Sequence, residues 1–180
     1  MVVPMGNFLA GLNDAPRKNR VSRLHLAAMV GIPLAAILFQ AYVPRFLTFL
    51  AYLELPLLVT VYFSLMRRSP VAGVFFGMSI GLAQDSLSPH QIGMYGIVKT
   101  LVGYFAATFS QRFAAETTLV RLVLSFFFYF FHQFFYWVLT RALLGESLGF
   151  EPQQTLVMAM LNAGVAAPLY HMLDKLKIVE

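Results

Sequence analysis

The chain has 180 residues, of which 59% are hydrophobic, 15% aromatic and only 12% charged, with a mean hydropathy of +0.71. So little charge cannot cover the surface of a water-soluble domain of this size, and the net charge of +5 is spent on residues flanking apolar stretches rather than on a basic stripe, which argues against nucleic acid as a partner. The absence of cysteine excludes disulfides, thiolate metal sites and thiol catalysis together.

These properties predict an all-α fold, a polytopic transmembrane helical bundle of about six helices. Residues 1–23 read as a cytoplasmic N-terminal tail. Its basic residues Arg17, Lys18, Arg20 and Arg23 follow a mildly apolar stretch, the reverse of the order in a secretory signal. Apolar segments then occupy 24–43, 46–66, 70–84, 92–109, 122–140 and 155–171, each near the length that crosses a bilayer. Residues 24–174 thus form one six-helix transmembrane domain, and 175–180 a short cytoplasmic C-terminal tail. The second segment is the clearest, interrupted only by Glu54. The third is short, and its polar end runs into a loop at 85–91. Pro33, Pro56 and Pro168 fall inside segments one, two and six, where each is expected to kink its helix.

Basic residues set the direction. Arg17, Lys18, Arg20 and Arg23 precede the first segment, Arg67 and Arg68 follow the second, Arg112 and Arg121 separate the fourth from the fifth, and Lys175 and Lys177 follow the sixth. The opposite side holds Arg45 and Arg141, and Lys99 lies within a span. Positive residues concentrate on the cytoplasmic side of membrane proteins, so both the N and C termini are expected in the cytoplasm.

Small residues mark where helices approach closely. Gly73, Gly77 and Gly81 share one face of the third segment, Gly96 and Gly103 lie on the fourth, and Ala159, Ala163 and Ala167 on the sixth. In lipid such stripes drive packing, here within the bundle or, for one of them, between copies.

Ionisable residues at membrane depth are costly and usually face the bundle interior. At the helical rise, Glu54 lies roughly 12 Å and Lys99 roughly 10 Å below the outer ends of their segments. Asp85, His132, Gln133 and Asn162, with Gln40, fall in the same outer half. The expected result is an intramembrane polar cluster of Glu54, Asp85, Lys99, His132, Gln133 and Asn162, in which Lys99 has two acidic candidates, Glu54 and Asp85. Such a cluster can lock helix register or line an outward-opening ligand cavity, while Lys99 alone could snorkel to the headgroups. No catalytic constellation accompanies it. His25 and His171 sit at membrane edges, His90 in a loop, and His132 has no ligand partner at helical spacing. Neither a G-x-S-x-G turn nor a phosphate-binding glycine loop is present. The reading is therefore of a non-enzyme with no catalytic residue, no metal and no cofactor.

The fifth segment carries Phe126-Phe-Phe-Tyr-Phe-Phe-His-Gln-Phe-Phe-Tyr-Trp137, with almost no small residues. It suits a peripheral helix facing lipid or, through Phe127, Phe131 and Phe134, a docking face for a partner's membrane helix.

Glu54-Leu-Pro56 heads an apolar run ending at Arg67-Arg68-Ser-Pro70; Gly73, Gly77 and Gly81-Leu-Ala-Gln-Asp85 follow, then Ile92-Gly93, Tyr95-Gly96 and Lys99-Thr-Leu-Val-Gly-Tyr104. This order over about residues 46–112 resembles the bacterial rod shape-determining MreD family, with one departure: the acid precedes Pro56, where the family's acid commonly follows the proline. The resemblance implies a multi-pass protein of the bacterial cytoplasmic (inner) membrane without enzymatic activity. It also implies partners in cell elongation: MreC, the MreB filament, and the peptidoglycan glycosyltransferase and penicillin-binding transpeptidase of the elongation complex. The family is similar in helical architecture to substrate-binding subunits of energy-coupling-factor transporters, which leaves small-solute binding or transport as the alternative.

Overall fold

The computed structural model describes residues 23–24, 26–88, 92–113, 117–145 and 149–178. The tail at 1–22, the tip of the 85–91 loop with His90, His25 and the last residues of the C-terminal tail lie outside the described residues. Six α-helices follow one another: α1 (Leu26–Tyr42), α2 (Leu55–Arg67), α3 (Pro70–Leu87), α4 (Met94–Arg112), α5 (Thr118–Leu144) and α6 (Pro152–Asp174). A two-residue antiparallel pairing of Arg23–Leu24 with Lys177–Ile178 brings the start of α1 and the end of α6 to one end of the bundle. Four segments are long and apolar enough to cross a membrane, Ala27–Arg45, Thr48–Arg67, Thr118–Leu144 and Pro152–Asp174. The helices α3 and α4, diluted with Gly, Ser and other polar residues, pack mainly against each other.

The segment expected as one helix over 46–66 is broken. Thr48–Tyr52 forms a 3-10 turn, the chain extends at Leu53, and α2 begins only at Leu55. Pro56 therefore starts a helix instead of kinking one: in the first turn its missing N–H costs nothing and its fixed φ is already helical. Pro33 and Pro168 do lie inside α1 and α6. At 13 residues α2 rises about 20 Å, well short of the hydrocarbon thickness.

A helix buried on every side belongs in the middle of a bundle. Every residue from Pro56 to Met66 is buried, and α2 touches each of the other helices. It divides the core in two. Leu58, Val59, Tyr62 and Phe63 pack with Ala36 and Ile37 of α1, Ile80 of α3, and Ala166 and Tyr170 of α6. Leu57, Val61 and Leu65 face Val102 and Ala106 of α4, Phe128 of α5 and Ala159 of α6. The small face of α6 is Ala159, Ala163 and Ala166 rather than Ala167, which is only partly buried. Buried hydroxyls join the halves: Ser125 donates to Tyr170 Oη at 3.0 Å, and Tyr170 donates to the Leu58 carbonyl at 3.1 Å. At the termini end, Asp174 pairs with Arg121 and with Lys177 (2.6 Å) and accepts from the Tyr62 hydroxyl at 3.0 Å, tying α2, α5 and α6.

The glycine stripe of α3 lies directly on α4. A Cβ on Gly73 would collide with the Gly103 carbonyl, one on Gly77 with the Lys99 carbonyl, and one on Gly81 with the Tyr95 carbonyl. These are backbone obstacles, so the three glycines set how closely the helices approach. The polar end of α3, read as the start of a loop, is helical through Leu87.

The helix α5 has one buried and one exposed side. One side buries Leu124, Ser125, Phe128, Tyr129 and His132, while Leu119, Val123, Phe127 and Phe134 form an exposed stripe along the other.

Candidate functional site

The break before α2 lies at the bundle end opposite the described termini, and the polar residues collect around it. Glu54 stands at the N-cap position of α2, and its backbone N–H donates to Asn162 Oδ1 of α6 at 2.8 Å. The same amide donates through Nδ2 to the carbonyls of Tyr52 and Met158, both at 2.9 Å. A single side chain thus satisfies a donor and an acceptor that the interrupted helix exposes. Non-helical backbone at membrane depth is tolerated only where protein provides such partners.

The Glu54 side chain turns to α4. Its Oε2 lies 3.6 Å from Lys99 Nζ, and Lys99 is fully buried. On its other side Nζ is 3.3 Å from Nε2 of His132 on α5 and 4.5 Å from the Tyr95 ring centroid. An ammonium only donates, so His132 accepts through Nε2 and carries its proton on Nδ1, which has no partner among the described residues. Tyr95, one turn before Lys99, stacks on Tyr136 with centroids 5.1 Å apart. A carboxylate, an imidazole and an aromatic face together hold one buried cation, the arrangement that makes such a charge tolerable.

Asp85 does not pair with Lys99 directly. Buried in the last turn of α3, it caps the start of α4: Oδ2 accepts from the N–H groups of Gly93 (3.0 Å) and Gly96 (2.9 Å), and Oδ1 from that of Tyr95 (3.0 Å). A carboxylate at a helix N-terminus also complements the helix dipole. Gly93, at φ 102, supplies the left-handed turn. Gly96 leaves room for the carboxylate, since a Cβ there would lie 2.8 Å from Leu82 and 3.4 Å from Asp85 Oδ2.

Of the six polar residues singled out in the sequence, the structure joins Glu54, Lys99, His132 and Asn162, places Asp85 beside them as a helix cap, and leaves Gln133 apart. Gln133 donates to Tyr129 Oη at 3.2 Å at the edge of a separate 330 Å³ cavity between α5 and α6. Sequence reasoning missed Tyr95 as a contact of Lys99, although four residues on one helix face are the spacing that brings side chains together. It also missed Gln84 and Arg45. With Gln40, Glu54 and Tyr95 they line a 340 Å³ polar cavity between the ends of α1, α3 and α4. No group of three His, Asp or Glu side chains among the described residues is placed to hold a metal ion. A larger apolar groove of 800 Å³ between α1 and α3, walled by Leu34, Phe75 and Phe76, shares Ile37 with this polar cavity.

The family model described as rod shape-determining protein MreD matches residues 22–177 of the chain. No curated protein and no solved structure matches it.

Proposed function

Because the chain belongs to the rod shape-determining protein MreD family, we propose that it is a multi-pass scaffold of the bacterial cytoplasmic membrane within the cell-elongation complex. In this reading it binds MreC and, with MreC, keeps the MreB filament and the glycosyltransferase–transpeptidase pair together, without catalysing a reaction itself. The family membership already makes it a rod shape-determining membrane protein. The pairing of Arg23–Leu24 with Lys177–Ile178 supports placing both chain ends on one side, and the basic residues near them support the cytoplasm. The cluster around Glu54 and Lys99 then lies toward the outer face, where it holds helix register.

The observation that carries the scaffold reading is the aromatic outer stripe of α5. Phe127 is 44% and Phe134 39% exposed, on the same face as Val123 at 59%. Against lipid alone, phenylalanine offers little that leucine does not, whereas aromatic side chains bring large, rigid contact area to an interface. Phe131, the third candidate, is more deeply set, against Phe105 and Phe135 at centroid distances of 5.4 and 4.4 Å. The single membrane helix of MreC is the occupant proposed for this stripe. Replacing Phe127 and Phe134 by Leu, with and without Phe131→Leu, keeps the helix apolar. Expression and the monodisperse elution of the purified protein should persist while co-purification of MreC falls and cells lose rod shape. Undiminished MreC capture with normal cell width would remove this stripe as the docking site.

A further inference from the structure

The polar cavity beside Glu54 contains acceptors that the protein leaves unanswered. Gln40 Oε1, Glu54 Oε2 and Gln84 Oε1 are buried, line this one cavity and receive no hydrogen bond among the described residues. Glu54 is 8% and Gln84 6% exposed, so neither is a surface group idly facing solvent. Buried polar atoms are almost always paired, and two unpartnered amide oxygens beside a loosely paired carboxylate on one cavity call for donors brought from outside the fold. Glu54 Oε2 does sit in an ion pair with Lys99, but at 3.6 Å the contact is longer than a hydrogen bond.

The buried ionisable groups here are two carboxylates, Glu54 and Asp85, against the single ammonium of Lys99, with His132 accepting from that ammonium. Asp85 is already met by three backbone N–H groups, so Glu54 is the carboxylate that faces the cavity with Lys99 as its cation. At the rim Arg45 lines the same cavity, with its guanidinium carbon 5.3 Å from the Tyr42 ring centroid and no ion pair among the described residues. At 340 Å³ the cavity falls at the small end of ligand sites, suited to a few heavy atoms rather than a cofactor.

We infer that this cavity is a binding site for a compact zwitterion, a primary ammonium joined by a short spacer to a phosphate or carboxylate. The ammonium carries three N–H donors and no acceptor, which answers Gln40, Glu54 and Gln84. The anionic end meets Arg45. Two sources share this chemistry: a free amino acid or phosphoethanolamine, and the headgroup of phosphatidylethanolamine entering from the bilayer. A quaternary ammonium of the same charge, with no N–H to donate, does not fit.

The test uses the full chain purified into nanodiscs of phosphatidylcholine. O-phosphoethanolamine, alanine and phosphocholine are titrated separately, with thermal unfolding read from Trp137 fluorescence. In parallel, native mass spectrometry reads which lipid stays bound after extraction from mixed phosphatidylethanolamine and phosphatidylcholine vesicles. A soluble ligand that stabilises the protein identifies the free source, and selective retention of phosphatidylethanolamine identifies the headgroup; either supports the site. Each hydrogen bond to a charged group removed should weaken binding about ten- to a hundredfold, so Glu54→Gln and Gln84→Leu should both abolish the selectivity. Gln84→Leu leaves the Glu54–Lys99 pair intact and keeps the test decisive if Glu54→Gln fails to fold. Equal effects of phosphocholine and phosphoethanolamine would overturn the proposal. So would the absence of any shift together with unselective lipid retention, which would mean the cavity holds water alone.

Discussion

Gly77→Ala is the sharpest test of how α3 and α4 are held together. The added methyl would be driven into the Lys99 carbonyl, with Thr100 Cα 2.8 Å away, and neither atom can rotate aside. Relief requires the helices to part by on the order of 1 Å, and a gap of that size forfeits up to about a half of the dispersion energy at each contact it opens. Because a helix moves as a rod, the Gly73–Gly103 and Gly81–Tyr95 contacts loosen as well. Overpacking of this kind costs about 1–3 kcal/mol, or about 5- to 150-fold in the unfolding equilibrium. Gly31 and Gly164, inside α1 and α6, provide internal controls, since a Cβ at either meets nothing within 4 Å. Gly31→Ala and Gly164→Ala should be neutral or stabilising by up to about 1 kcal/mol through helix propensity alone. Unfolding by denaturing detergent, followed by Trp137 fluorescence for all three variants, separates the cases. If Gly77→Ala unfolds no more readily than the controls, the backbone contact is not what sets the α3–α4 distance and the reasoning fails.

Two further expectations follow from the same geometry. Glu54→Gln strands Lys99 beside His132 and Tyr95, and breaking a buried pair costs about 3–5 kcal/mol, whereas Glu54→Gln with Lys99→Met removes both charges at little net cost. Folded yield should therefore be lower in the single variant than in the double; simply additive losses would argue against a direct pair. With no native cysteine, Ser88→Cys offers a clean topology probe at the end of the bundle opposite the described termini. A membrane-impermeant maleimide should label it in cells whose outer membrane alone is opened, and labelling only after the cytoplasmic membrane is breached would invert the proposed orientation.

The hydrophobic pattern carried the helical architecture in the amino-acid order itself, because lipid forces each backbone donor and acceptor into helices of predictable length. The six helices, the glycine face of α3 and the end of the bundle where polar side chains gather were all legible there, since each depends on composition or on spacing along one helix. The break at Leu53 was not: an apolar run with one glutamate and one proline is compatible with a kinked span. Only the Asn162 side chain, more than a hundred residues away, satisfies the backbone that the break exposes. The division of labour between two acids at similar depth was likewise a tertiary decision. Asp85 faces three backbone N–H groups at the start of α4 because the tight α3–α4 seam puts them there, which leaves Glu54 to Lys99. The polar cavity lies between the ends of three helices, and no periodicity along any one of them could bring Gln40, Glu54 and Gln84 to a common wall. Spacing along a chain determines which residues share a face; which faces meet is decided by how closely the glycines let the helices approach.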